Sequence, residues 1–124
     1  MRNPERQVAM LLLDNGACPL EDWLDSLRDK MTRARIERQI DKLSRHLGDQ
    51  KSLHGIREMR LDFGPGYRVY YGETEPGVLV VLLGGGDKSS QRKDIALARQ
   101  LWAEVEQGGL TDAALRFRNA IEED

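Results

Sequence analysis

Cysteine is nearly absent from this chain. Cys18 is the single one in 124 residues, which excludes an internal disulfide and a cysteine-based zinc site. Long hydrophobic runs are missing too. The longest, VAMLLL (8–13) and VLVVLL (78–83), fall far short of the roughly 20 residues a membrane-spanning helix needs, and neither has the flanks of a signal peptide. There is no excess charge of one sign: 19 Lys/Arg against 21 Asp/Glu leave a net −2, so bulk electrostatics do not announce a nucleic-acid binder. Nor does the chain show a metal-ligand cluster, a nucleophile triad or a cofactor loop. Together with a length suited to one core, these absences predict a soluble, cytoplasmic domain with no cofactor, no metal and no membrane partner.

The distribution of charge says more than its sum. Residues 28–70 carry eleven Lys/Arg against six Asp/Glu, whereas the last seventeen residues carry two Arg against four acids. A polyanion meets local potential, so a balanced total is compatible with a basic face. A helix with mixed, solvated charges is the plainer account of the same residues.

Along the chain, residues 6–13 read as a first strand, followed by the turn signal Asn15-Gly16. Pro19 opens a helix whose apolar positions Leu20, Trp23, Leu24 and Leu27 recur at helical spacing, with Glu21, Asp22 and Asp25 at its dipole-favoured start. Thr32 is the expected cap of a second helix with the stripe Ile36, Ile40, Leu43 and Leu47, stopped by Gly48. In 56–63, Met59, Leu61 and Phe63 alternate with Glu58, Arg60 and Asp62, the period of a half-buried strand. Gly64-Pro65-Gly66 reverses the chain into a strand with Tyr67, Val69 and Tyr71 on its packed side. VLVVLL is a central strand ended by Gly84-Gly85-Gly86, and residues 91–107 form a helix with Ile95, Ala98, Leu101, Trp102 and Val105 on one side.

The order β-α-α-β-β-β-α implies an α+β fold: a two-helix hairpin and a C-terminal helix packed on a small, mainly antiparallel sheet. The helices are expected on one face, leaving the other open with Arg60, Arg68 and Tyr70 upon it. Residues 1–107 form the domain, and 108–124 an extension read as a short helix along its apolar positions Leu110, Ala114, Phe117 and Ile121.

Arginine offers a planar fork to phosphate oxygens and lysine a point charge, so Arg60, Arg68 and Lys88 are the candidate phosphate contacts, with Tyr70 as a stacking or proton-handling partner. The same arginines could equally keep an exposed sheet face solvated. GGGDKSS resembles a phosphate loop but fails its pattern, which needs glycine where Asp87 and Leu82 stand. What remains is a helix start, favourable to anions, or a turn capped by Ser89 or Ser90. His54 is a candidate general base in a loop. His46 near a helix end is assigned no function, and Trp23 and Trp102 are read as core.

Four landmarks in order, LEDWLDSLRDK (20–30), IREMRLDFGPGYRVYY (56–71), LLGGGDKSSQRKDI (82–95) and ALARQLWAE (96–104), resemble the RelE/HigB superfamily of toxin–antitoxin toxins, in its addiction-module killer protein group. The resemblance spans roughly residues 6–107. It implies the same α+β fold, termed RelE-like, and a metal-independent, ribosome-dependent mRNA endonuclease (an mRNA interferase) acting through the ribose 2′-hydroxyl. The family's strand arginine maps onto Arg68, its preceding-strand cation onto Arg60 and the cation after the last strand onto Lys88. On that mapping Arg68 and Lys88 stabilise the phosphorane, Arg60 or Lys51 helps activate the nucleophile, and Tyr70 or His54 handles a proton. Lys51, Arg57 and Arg45 are the remaining cations assigned to RNA. Implied partners are a cognate antitoxin of helix-turn-helix type, the ribosome and mRNA.

The chain departs from these relatives in being slightly acidic, and residues 91–107 contain neither the tyrosine nor the histidine that some of them use. One branch of the superfamily poisons DNA gyrase, because fold alone does not set the target. A non-enzymatic binding module, either a gyrase inhibitor or a decayed toxin retained for antitoxin binding, therefore stands beside the nuclease reading.

Overall fold

The structure is a computed structural model that describes residues 6–74, 79–108 and 114–117. Its elements are β1 (Gln7–Leu11), α1 (Pro19–Asp25), α2 (Lys30–Asp41), β2 (Asp49–Leu53), β3 (Ile56–Arg60), β4 (Arg68–Glu73), β5 (Leu79–Gly86), α3 (Gln91–Gly108) and β6 (Leu115–Phe117), with single 3-10 turns at Lys42–Arg45 and Lys88–Ser90. They build one six-stranded sheet in the order β2-β3-β4-β5-β1-β6. Only the β1–β5 pair is parallel; the others are antiparallel. The fold is α+β with the expected element order, extended by an edge strand on each side.

Local chemistry accounts for the boundaries. Pro19 sits in the first turn of α1, where its missing N–H costs nothing. Asp29, rather than the expected Thr32, caps α2: its carboxylate accepts from the Met31 amide at 3.0 Å and from the Thr32 hydroxyl at 2.8 Å. The chain leaves the 3-10 turn through His46 in the left-handed region, so Leu47 and Gly48 lie beyond the helix. Between β2 and β3, His54 and Gly55 both take positive φ, the geometry of a tight hairpin turn.

The layering corrects the one-sided expectation. Leu20, Leu24, Ile36 and Ile40 of α1 and α2 pack on one face with Met59 and Val69. Ala98, Leu101 and Trp102 of α3 pack on the opposite face with Tyr70, Val81 and Leu83. Both faces are therefore covered, and Tyr70 is fully buried. Periodicity shows that α3 has an apolar stripe; it does not say which side of the sheet that stripe meets.

The triple glycine is also strand rather than terminator. β5 runs through Gly86, and each face closes on one of these glycines. A Cβ at Gly85 would lie 2.3 Å from Trp23 of α1, and a Cβ at Gly86 would lie 1.9 Å from the Asp94 carboxylate of α3. Here the missing side chain lets two helices approach the backbone. Of the extension expected to be helical, Leu115–Phe117 forms β6, antiparallel to β1; the rest of that span lies outside the described residues. No helix among the described residues is long and apolar enough to cross a membrane.

Candidate functional site

Two cross-strand rows on the α3 side of the sheet bring the candidate residues together. One runs Asp49, Arg60, Arg68, Gly86 across β2, β3, β4 and β5; the next runs Lys51, Glu58, Tyr70, Gly84. Side chains opposite one another in such rows are near neighbours. Arg60 and Arg68 therefore stand side by side at the end of β3 and β4 joined by the Gly64–Gly66 turn. Lys88 approaches from the other side of that turn: its amide donates to the Pro65 carbonyl at 3.3 Å. The glycine at 66 leaves only 3.3 Å between a would-be Cβ and the Lys88 Cβ.

The three cations differ in setting. Arg60 is exposed and pairs with Asp49 at 3.1 Å, a contact of small energetic weight in water. Lys88 is exposed. Arg68 is different. Its side chain is 14% exposed and its Nε lies 3.7 Å from a carboxylate oxygen of Glu58, itself 1% exposed. Gln91, the first residue of α3, donates from Nε2 to the same oxygen at 2.9 Å. A glutamate this deeply buried persists only with partners, and Arg68 and Gln91 are those partners. The Arg68 Nε has no hydrogen-bond partner among the described residues.

Tyr70 completes the buried group. Its hydroxyl has no hydrogen-bond partner among the described residues. Burial, then the charges of Glu58 and Asp94, push its pKa well above the ordinary phenol value, with Arg68 pulling the other way. At neutral pH it is an uncharged hydroxyl held inside the fold, not the exposed proton-handling group expected from strand alternation.

The loop before α3 is closed by its own side chains. Asp87 accepts from the Ser89 amide at 2.8 Å and from the Ser89 hydroxyl at 2.6 Å, which holds its carboxyl below the usual carboxylate range. Ser90 reaches back to the Asp87 amide at 3.3 Å and on to Asp94 at 2.5 Å. The cap is therefore Asp87 in a reciprocal box with Ser90, and a carboxylate already occupies an amide that an anion would seek. This half of the loop is a helix start, not an open phosphate cradle.

Other sequence-derived candidates lie elsewhere. His54 is exposed at the tip of the β2–β3 turn, at the opposite end of β3 from Arg60. The strand from Ile56 to Arg60 alone spans about 13 Å at strand rise, so His54 is not brought to the cluster. Arg57 points to the other face, where its Nε is 3.4 Å from the Tyr71 hydroxyl and 4.0 Å from Glu73. There Tyr71 donates to Gln50 at 2.5 Å and Arg6 bridges Glu73 and the Leu43 carbonyl, tying the chain entering β1 to β4. Lys51 is exposed on edge strand β2, opposite Glu58, and Arg45 is exposed on the α2 side. Glu58 and Gln91 were not foreseen. The available signal was the apolar stripe of α3, which required a second sheet face to cover and so would bury part of the outward row.

Among curated proteins, an uncharacterized protein of Haemophilus influenzae is 46% identical over 87 residues, covering 68% of this chain and 87% of the relative. No family model matches the chain, and no solved structure matches it.

Proposed function

This chain belongs to one family with the uncharacterized Haemophilus influenzae protein, and for it we propose the role of a type II toxin that cuts mRNA on the ribosome in the cytoplasm, restrained by a helix-turn-helix antitoxin. The observation that carries the reading is the convergence of Arg60, Arg68 and Lys88 on one turn. In the proposed reaction the ribose 2′-oxygen bonds to the adjacent phosphorus while the bond to the 5′-oxygen breaks. The 2′ proton is removed and a proton is delivered to the leaving oxygen, leaving a 2′,3′-cyclic phosphate and a 5′-hydroxyl. Charge accumulates on the equatorial phosphorane oxygens, and cations aimed there stabilise the transition state more than the ground state. Arg68 and Lys88 take this role, with Arg60 beside the nucleophile. Glu58 holds Arg68 in place, while proton transfer falls to exposed groups of the complex.

The test is a defined translation reaction on a reporter mRNA, with and without ribosomes, with cut sites mapped by primer extension. Arg68→Ala alone would strand the buried Glu58 charge, so the paired substitution Glu58→Gln with Arg68→Gln is the informative variant. Cleavage within codons only when ribosomes are present, reduced about 100-fold or more in the paired variant, supports the reading. Intact mRNA in the presence of folded wild-type protein rejects it.

The Glu58–Arg68 pair favours one other reading, because a cation already neutralised inside the protein is a poorer phosphate ligand. A binding module that inhibits gyrase, or that retains only antitoxin binding, would suit such a site. Inhibition of supercoiling in a topoisomer assay without RNA cleavage would select the gyrase version.

A further inference from the structure

Eight of the eleven cations in the basic window of the sequence fall into two sets. Arg33, Arg57, Arg60 and Arg68 are engaged with carboxylates. Arg35, Arg38, Lys42 and Arg45 make no ion pair among the described residues, and three of them are exposed while Lys42 is half-buried. Their spacing is three, four and three residues, which keeps them in one sector of the helix and its 3-10 continuation. That sector lies opposite Ile36, Ile40 and Leu43, each fully buried. Glu37 and Asp41 border it, Asp41 lying three residues after Arg38 and four before Arg45, while the stripe's own positions are all cations.

The stripe leads toward the site already described. The Arg35 guanidinium carbon sits 3.9 Å above the Phe63 ring, and Phe63 immediately precedes the Gly64–Gly66 turn that Lys88 holds through Pro65. Stacking on an aromatic ring fixes a guanidinium plane without consuming its N–H donors. Arg35, Arg38 and Phe63, with Asp29, Lys30 and the exposed Met31 at the helix start, line a groove of about 400 Å³. The surface is therefore a row of cations with no ion pair among the described residues, about 15 Å long by helical rise, one of them pre-oriented, running to the turn that carries the phosphate-binding candidates.

We propose that this outer stripe of α2 is a docking surface for the phosphate backbone of a structured RNA, separate from the Arg68 cluster. An acidic protein segment is the competing partner. Apolar anchors, which an amphipathic acidic helix needs along its length, are confined to Met31, Ala34 and Phe63 at one end of the stripe, and the row of cations beyond them fits a repeating polyanion better. The proposal extends the toxin reading by naming how the RNA partner is held, but it concerns binding and is measured without cleavage.

The experiment titrates the full chain carrying the Glu58→Gln and Arg68→Gln pair, the variant expected to cut least, into a fluorescein-labelled RNA hairpin at several salt concentrations. Reversal of Arg35, Arg38 and Arg45 to Glu is expected to weaken binding at least tenfold and to flatten the salt dependence by about one unit of slope per lost phosphate contact. Reversal of the exposed Arg92, Lys93 and Arg99 on α3, with the same change in net charge, is expected to leave the RNA on the stripe with its slope. If the α2 reversals disrupt the helix by circular dichroism, the milder Arg→Gln set at the same positions decides. Binding unchanged by either α2 set, or lost equally with the α3 reversals, overturns the proposal. So does polyglutamate displacing the RNA at equal charge concentration, which would point to an acidic protein partner. Absence of cleavage by the wild type in the translation assay, with stripe-dependent hairpin binding intact, would remove the toxin reading and leave this one standing.

Discussion

The two faces of the sheet solve the same burial problem with different chemistry. Under α1 and α2 the filling is apolar: Met59, Val69, Val80 and Leu82 meet Leu20, Leu24, Ile36 and Ile40. Under α3 an apolar half, built on Trp102, Leu101 and Val81, gives way toward the start of the helix to Glu58, Arg68 and Tyr70. The first face keeps its own ion pair, Arg6 with Glu73, where the chain enters β1. The second carries a charge pair whose members are each costly without the other, and that is the face where the candidate chemistry lies. Buried ion pairs add little net stability over a well-packed apolar equivalent, so their presence beside exposed cations is better explained by what they hold than by what they stabilise.

The largest expected effect tests that asymmetry. Glu58→Ala should destabilise the fold by about 3–5 kcal/mol, since it leaves Arg68 largely buried and unpaired, whereas the double replacement Glu58→Met with Arg68→Met should recover most of the loss in urea unfolding. A double variant no more stable than the single one would mean that packing, not charge, governs this end of the sheet. Ile40→Ala, on the apolar face, should cost about 2–5 kcal/mol with no partner substitution at Arg68 able to rescue it; non-additivity between these distant sites would erase the distinction between the faces.

Smaller effects sharpen the polar half. Tyr70→Phe removes a buried hydroxyl that lacks a partner and should raise stability by about 1 kcal/mol; a loss instead would reveal a bond that the hydroxyl makes. The same substitution has a pH signature. The folded pKa of Tyr70 is raised above that of the unfolded chain, so its contribution is complete below the ordinary phenol pKa near 10 and is lost as pH climbs toward the folded value. Wild-type melting temperatures should therefore drop above about pH 10, and Tyr70→Phe should drop less. Parallel curves would show that Tyr70 is solvated. Least of all, Arg38→Ala on the outer stripe should change stability by under about 0.5 kcal/mol, and a larger loss in a thermal melt would mean that this arginine serves the fold.

Much of this was legible without coordinates. Strand alternation assigned Met59, Leu61, Val69 and Tyr71 to a packed side, and all four lie in one core. Helical spacing assigned Ala98, Leu101 and Trp102 to one apolar side, and all three are buried, though against the sheet face expected to be open. The candidate site was legible in its cations, Arg60, Arg68 and Lys88, and illegible in its counter-ion. Glu58 alternates with core residues, so a strand read alone turns it to solvent. Tyr70 shares its row and was misread in the same way, and His54 was grouped with residues that stand at the other end of the same strand.

What the sequence by itself determined is whatever depends on neighbours a few residues apart: the start of α1 at Pro19, the reversal at Gly64-Pro65-Gly66, the apolar stripes and the sector shared by Arg35, Arg38, Lys42 and Arg45. The tertiary structure decided which stripe covered which side of the sheet. Periodicity specifies the side of an element that must be buried but carries no information on the partner that buries it, and the crossing of α3 to the second face depends on contacts with residues such as Gly86 and Glu58. That choice turned an expected open face into a closed one, buried Glu58 and Tyr70, and left the exposed cations at its rim.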